Sequence, residues 1–477
     1  MQSAGKEKEK VSDGSVKLHR QVGFVGAVSL IVGTIIGSGI FISPKGVFRN
    51  AGSVGTGLLM WFACGVLSTF GALCYTELGT MIPKSGGEFP ILLESFGPIP
   101  AYLFAWTATV ILKPSSLTLL ALTFAKYALA PVYGDCDNVP GMATKLVGAV
   151  VILTVVFVNC YSVKLSTRIV TFFGIGKIIS LVIVIIGGIV FLAKGHTEHF
   201  DDAFSGPPPG VREISLGLYQ GLWAFDGWNQ LNYVVEELKN PYKTLPRAII
   251  TSMAIVTGLY LLTNVAYLSV MSLEELLISP AVGATFGDRV LGVMVWVIPV
   301  SVTCSVFGTC LGSCFTAGRI SYVAAREGHF NQVLSMIHVK KCTPAPSVIL
   351  NGCIALLMII PNDFDSLINY YSFANWAFYF LAAMALLYFR YERPNAHRPV
   401  KVPIVVPIIF CLACLYLILA PIIDEPQIQY LLAVCTVFFG LVFYIPFVHF
   451  KLRSETIRSL NRFMQKLMMV TTPDSDS

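Results

Sequence analysis

Thr34-Ile-Ile-Gly-Ser-Gly-Ile-Phe41 interrupts the first long apolar run of this chain. Gly33, Gly37 and Gly39 fall within two turns of one another. Each glycine weakens a helix by about 1 kcal/mol. Each also lets the backbone open and approach a ligand closely. Tight packing of helices through small residues is the competing reading. A second interruption, Phe225-Asp-Gly-Trp228, puts an acid and a glycine in the middle of a later apolar run. An unpaired acid is costly inside a membrane, so packing alone explains that one poorly.

The rest of the chain sets these breaks in a bilayer. Of 477 residues, 13% are charged and 55% apolar, where a soluble domain has roughly 25% charged residues. The mean hydropathy is +0.71. A bilayer crossing needs about 20 apolar residues. This composition excludes a soluble enzyme with a tether, a disordered or fibrous chain and a disulfide scaffold. The apolar runs are continuous rather than alternating, which excludes a membrane β-barrel. The net charge of +6 is spread over short loops and gives no sign of nucleic-acid binding.

Twelve apolar windows lie near 22–48, 55–82, 98–130, 141–160, 168–193, 214–235, 247–271, 289–320, 344–361, 366–390, 402–423 and 428–450. They predict an all-α multi-pass membrane protein with twelve transmembrane helices. With the N-terminus inside, the loops and span ends carry 24 Lys and Arg inside against 5 outside. That asymmetry predicts both termini in the cytoplasm. Residues 1–20 read as a polar tail, and the first run is too long for a signal peptide.

Three charges fall within spans: Lys113, Lys177 and Asp226. Each costs roughly 2.5–3.5 kcal/mol at a helix centre, so each needs a purpose. Lys113 could serve the carbonyls freed by Pro114, and Lys177 could form a structural pair. Trp223 could be an ordinary core aromatic. Glu77, Glu236 and Glu237 lie near span ends, where solvation or ion pairing is the default. His196 and His199 share a loop and need only solvent. The interrupted spans are the first and the sixth, the leading members of two five-span sets. Interruptions at matching places point to a transporter's binding site. Half-helix N-termini attract an anionic group and exposed carbonyl ends a cation, and an amino-acid zwitterion carries both.

Most of the twelve cysteines lie in spans and act as small apolar residues. Cys136 instead sits in the polar outside loop Gly134-Asp-Cys-Asp-Asn138, with no second outside cysteine. A bond to another chain and a free thiol are the two readings. No metal-binding spacing, catalytic motif or phosphate loop occurs. No metal, cofactor or enzymatic activity is therefore expected. No Asn-x-Ser/Thr sequon occurs either.

Several strings resemble the light, transporting subunits of heteromeric amino-acid transporters, in the amino acid–polyamine–organocation superfamily. They are Ile35-Ile-Gly-Ser-Gly-Ile-Phe-Ile-Ser-Pro-Lys-Gly46, Glu77-Leu-Gly-Thr-Met-Ile-Pro-Lys-Ser-Gly-Gly87, Trp223-Ala-Phe-Asp-Gly-Trp-Asn-Gln-Leu-Asn-Tyr233, Glu236-Glu-Leu-Lys-Asn-Pro241 and Arg319-Ile-Ser-Tyr-Val-Ala-Ala-Arg-Glu-Gly328. The resemblance runs from about residue 18 to about residue 465. It is similar both to the branch that exchanges cystine, dibasic and neutral amino acids and to an aromatic-preferring branch.

The resemblance implies a five-plus-five inverted repeat with broken helices 1 and 6, plus two C-terminal helices. Its parts would be a cytoplasmic tail (1–20), repeat one (21–195), repeat two (212–392), two further helices (400–451) and a second tail (452–477). Spans one and six would unwind at Gly37–Gly39 and Phe225–Gly227. Amides near Ser38, Gly39 and Ile40 would take a substrate carboxylate. Carbonyls at Ile35, Trp223, Ala224 and Phe225 would take its amino group. Asp226, Ser115 and Asn375 would shape selectivity. Lys177 matches the lysine that, in sodium-independent members, stands where others bind sodium. Cys136 matches the cysteine joined to a single-pass glycoprotein heavy subunit in the plasma membrane. Anionic exchangers carry Arg at the Asn375 and Lys113 positions and lack the acid at Asp226. The dibasic exchanger carries Thr at the Ser115 position. The resemblance therefore implies a sodium-independent antiporter of neutral, dibasic, aromatic or cystine substrates. A membrane receptor that senses amino acids without moving them has the same binding needs.

Overall fold

Inside a bilayer, long apolar runs can satisfy their backbone only as helices or closed barrels. Helices make up nearly every element of the computed structural model. It describes residues 22–133, 139–279, 282–292, 296–360, 364–424, 428–451 and 455–472.

The first span divides into α1 (Phe24–Ile35) and α2 (Gly39–Ala51), whose axes differ by 48°. Next come α3 (Val54–Met81), the short α4 (Glu88–Phe96) and α5 (Pro98–Thr107). A π turn at Ala108–Leu112 joins α5 to α6 (Lys113–Tyr133). Then follow α7 (Gly141–Tyr161) and α8 (Val163–Ala193). Helix α9 (Val211–Ala224) stops at the second break and continues as 3-10 turns at Gln230–Tyr233 and Val235–Glu237. Beyond it lie α10 (Pro241–Val270), α11 (Leu273–Ile278), α12 (Val282–Leu291) and α13 (Val297–Arg326). The chain closes with α14 (Ala345–Met358), α15 (Phe364–Glu392), α16 (Val405–Asp424), α17 (Ile428–Phe443) and α18 (Glu455–Met468). One small sheet pairs β1 (Ile337–His338) antiparallel with β2 (Val470–Thr471), tying the end of the chain to the segment after α13.

Among the described residues, nine helices are long and apolar enough to cross a membrane, or ten with the α1–α2 pair counted as one. The chain is an all-α multi-pass membrane protein. The other two expected crossings fall on α9 and α14, each 14 residues long. Such a helix is shorter than the roughly 20 residues of a full crossing.

Burial sorts the helices into a centre and a rim. The most apolar window of Pro98–Tyr133 is 78% buried, against 17% in Tyr430–His449. Phe157, Phe172, Leu412 and Phe438 are exposed on α7, α8, α16 and α17. Apolar side chains facing outward all round a helix are what lipid, not water, requires. At the centre, α13 packs on α6, α8 and α1, while α10 packs on α3, α8 and α1.

The three acids near span ends all pair. Glu237 meets Arg319 at 3.1 Å, Glu236 meets Arg326 at 3.3 Å, and Glu77 meets Arg390 at 2.5 Å. Glu77 also accepts the Val402 amide at 2.9 Å. His199 does more than the solvent contact expected of it: its Nδ1 lies 3.0 Å from the Leu268 carbonyl. Between α10 and α13, Ser272 and Glu275 close a capping box. Hydrogen bonds from Arg289 hold the Glu275 carboxyl below its usual range, at about 2.

Candidate functional site

The two breaks touch. A side chain at Gly39 would begin 2.5 Å from the Ala224 Cα, so only glycine lets α2 and α9 come this close. At the other break, Gly227 has φ +117° and faces Thr34. That angle belongs to glycine.

Breaking α1 after Ile35 leaves its last carbonyls without amide partners. Side chains from other helices supply them. Lys177 of α8 donates to the Gly33 carbonyl at 2.5 Å and to Thr309 Oγ1 of α13 at 2.6 Å. Ser305 of α13 reaches the Ile36 carbonyl at 3.4 Å. The Tyr260 hydroxyl of α10 lies 2.8 Å from the Ile35 carbonyl and 3.1 Å from that of Ala224. A hydroxyl carries one proton. One of these two carbonyls is therefore always open to another donor, such as an ammonium group. Opposite them, the N-terminus of α2 begins at Ser38 with amides that have no earlier turn to bond. An N-terminus of this kind favours an anion.

A cavity of about 50 Å³, open on one side to solvent, lies at this junction. Of the residues singled out in the sequence, Ile35, Gly37, Ser38, Gly39, Lys113, Trp223, Ala224 and Asp226 line it. Ile40 is buried beside it. Phe225 is buried against Trp61 and Tyr260. Ser115 turns away, with Oγ 3.4 Å from Met358 Sδ, and its neighbour Ser116 lines the cavity instead. Asn375 is half-buried on α15 and is not part of the lining. Cys136 lies outside the described residues.

Sequence reasoning missed much of the wall: Thr34, Ser116, Leu120, Gln230, Thr309, Ser313 and Tyr371. Gln230 Oε1 and Ser38 Oγ are buried without a hydrogen-bond partner among the described residues. Such atoms are costly to leave unpaired, so a polar ligand here would gain from meeting them. Gln230 stands four residues past Asp226 in the quoted string, which was the available signal.

Asp226 accepts hydrogen bonds from the hydroxyls of Tyr371 and Tyr379, the latter at 3.1 Å. Lys113 does not take the carbonyls near Pro114. Its amino group lies 4.4 Å from the centre of the Tyr233 ring. The π turn before it absorbs the break in the hydrogen-bond ladder that Pro114 imposes.

Comparison with known proteins agrees with this geometry. The family model described as amino acid permease matches residues 22–444, a stretch that contains both breaks. The mouse b(0,+)-type amino acid transporter 1 is 50% identical over 97% of this chain and 95% of its own length. The human cystine/glutamate transporter is 46% identical over 88% of this chain and 83% of its own. The mouse large neutral amino acids transporter small subunit 2 is 41% identical over 96% of this chain and 88% of its own. Two touching helix breaks, a central cavity and matches over nearly the whole length lead to one conclusion: the chain belongs to the amino acid permease family.

Proposed function

We propose that this chain is a sodium-independent amino-acid exchanger that works by alternating access. Lys177 is the observation that carries the reading. Its amino group joins α1, α8 and α13 through the Gly33 carbonyl and Thr309 hydroxyl. A protein cation held there supplies the charge that a bound sodium would otherwise bring. In this reading the amides of Ser38, Gly39 and Ile40 take the substrate carboxylate. The carbonyls of Ile35, Trp223, Ala224 and Phe225 take its amino group. Trp223 covers the site, and Asp226 favours a second positive charge on the substrate.

The substrates are neutral amino acids, extended by Asp226 to dibasic ones, with aromatic amino acids or cystine also in the range. The names of the relatives, for cystine and for large neutral amino acids, support that range. One relative is named a small subunit, which supports a partner: a single-pass glycoprotein heavy subunit bound through Cys136. The location that follows is the plasma membrane, with both termini cytoplasmic. The inverted repeat of 21–195 and 212–392, followed by 400–451 and the tail 452–477, is part of the same reading.

Counterflow of labelled amino acids in proteoliposomes tests it. Preloaded leucine should draw labelled leucine and arginine inward. Binding without counterflow would make the chain a receptor instead. Asp226→Asn keeps the volume and removes the charge. It should lower arginine and lysine uptake about tenfold more than leucine or phenylalanine uptake, the factor set by roughly 1.4 kcal/mol of lost attraction. An equal fall for all four would assign Asp226 to the architecture or the gate.

A further inference from the structure

The hydrogen bonds behind Asp226 run in one direction, and they start at an acid that the reading above does not use. Glu88, at the start of α4, is fully buried. Three neutral groups point protons at it: the Tyr75 hydroxyl at 2.9 Å, the Tyr233 hydroxyl at 2.8 Å and the Asn229 amide nitrogen at 2.9 Å. An ionised carboxylate can only accept, so it dictates the direction of every hydrogen bond it makes.

Asn229 carries that direction onward. It is buried on the turn that follows Gly227. An Asn side chain has one accepting oxygen and one donating nitrogen, and turning the amide over exchanges them. With Glu88 as the acceptor, the nitrogen must face inward. The same nitrogen lies 3.3 Å from the Tyr379 hydroxyl of α15. Tyr379 meets a donor there, so its own proton is left for Asp226, at 3.1 Å. An amide turned the other way would offer Tyr379 an oxygen and draw that proton away from Asp226. Tyr371, about two turns earlier on α15, donates to the second oxygen of Asp226 and lines the cavity. Tyr379 is buried and is not part of the lining.

We propose that Glu88 is a positioning residue for Asp226. By fixing the Asn229 amide it aims the Tyr379 hydroxyl at the Asp226 carboxylate, and so sets how that acid meets the positively charged side chain of a substrate. Glu88 is itself outside the cavity lining. This rests on the exchanger reading and deepens it.

Counterflow kinetics of the full chain in proteoliposomes test the idea, with arginine and leucine as probes. Tyr379→Phe removes the aimed hydroxyl. It should raise the arginine KM about fivefold and leave the leucine KM within about twofold, a usual size for coupling within one polar network. Glu88→Gln replaces an accepting oxygen with a donor, releases the Asn229 amide and should do the same. Glu88→Asp keeps the acceptor and should stay closer to the wild type than Glu88→Gln does. The deciding variant combines Glu88→Gln with Tyr379→Phe. Because Glu88 acts through Tyr379, the arginine KM of the pair should lie within about twofold of Tyr379→Phe alone. A merely structural Glu88 would move both KM values or neither, and its effect would multiply with that of Tyr379→Phe. Any of those results overturns the inference. If the wild type exchanges leucine but not arginine, the inference falls while the exchanger reading stands. If it exchanges neither, both fall.

Discussion

Lys177 shows how a single residue can be read and still be incomplete on paper. A lysine deep in a span must find its acceptors in protein, because lipid offers none. It finds them where α1 breaks, on the Gly33 carbonyl, and on Thr309 of α13. Replacing it with Met removes both bonds and the charge. Lys177→Met should cut exchange more than tenfold, since a donor tying two helices at a binding site is worth about 1.5–3 kcal/mol. The protein should still reach the membrane and elute as a single species. For the wild type, replacing external sodium with choline should leave uptake unchanged, and a severalfold fall would reject the coupling idea. Asp226 has the opposite environment. It is held by two neutral hydroxyls, and Lys113 lines the same cavity.

At the scale of elements, the two broken helices differ in how they are finished. The α1 break is capped by side chains from α8, α10 and α13. The α9 break winds into 3-10 turns that end at Glu236 and Glu237, both ion-paired to α13. Each break is therefore anchored to helices far away in the chain. Glu77 makes a similar tie between α3 and α15. It is fully buried, and Arg390 approaches through two nitrogens. Removing one partner of such a pair strands the other, at a cost of about 3–5 kcal/mol. Glu77→Gln should accordingly lower the thermal unfolding midpoint by several degrees in detergent. An unchanged midpoint would mean that the Glu77 charge, shared between Arg390 and Arg398, adds nothing to stability.

At the scale of the whole molecule, the outer helices offer lipid-facing surface and the inner ones hold the cavity. The proposed heavy subunit would add a second chain through Cys136. A non-reducing gel of native membranes should show a heavy band that collapses on reduction. Cys136→Ser should abolish that band, while transport survives in part if noncovalent contact remains. A band unaffected by the substitution would place the link elsewhere.

Much of the fold was legible because its cause is local. An apolar run long enough to cross a bilayer is a property of consecutive residues, and so is a cluster of glycines that weakens a helix. The breaks at Gly37–Gly39 and Phe225–Gly227 could be expected from neighbours in the chain, whereas for Glu77, Glu236 and Glu237 the chain left solvation and ion pairing both open, and their arginines lie 82 to 313 positions away. The cavity wall could not. Ser115 and Ser116 are one residue apart, roughly 100° around a helix. Which of them faces inward depends on the helix's rotation against its neighbours, and it is Ser116 that lines the cavity. Tyr260, Thr309, Tyr371 and Glu88 lie on four other helices, and no spacing in the chain announces that they converge. Their contacts join residues up to 276 positions apart. Hydrophobicity sorts each helix toward lipid or core along its own sequence, but the partner of a buried polar atom is decided only when separate helices pack and leave it nowhere else to bond.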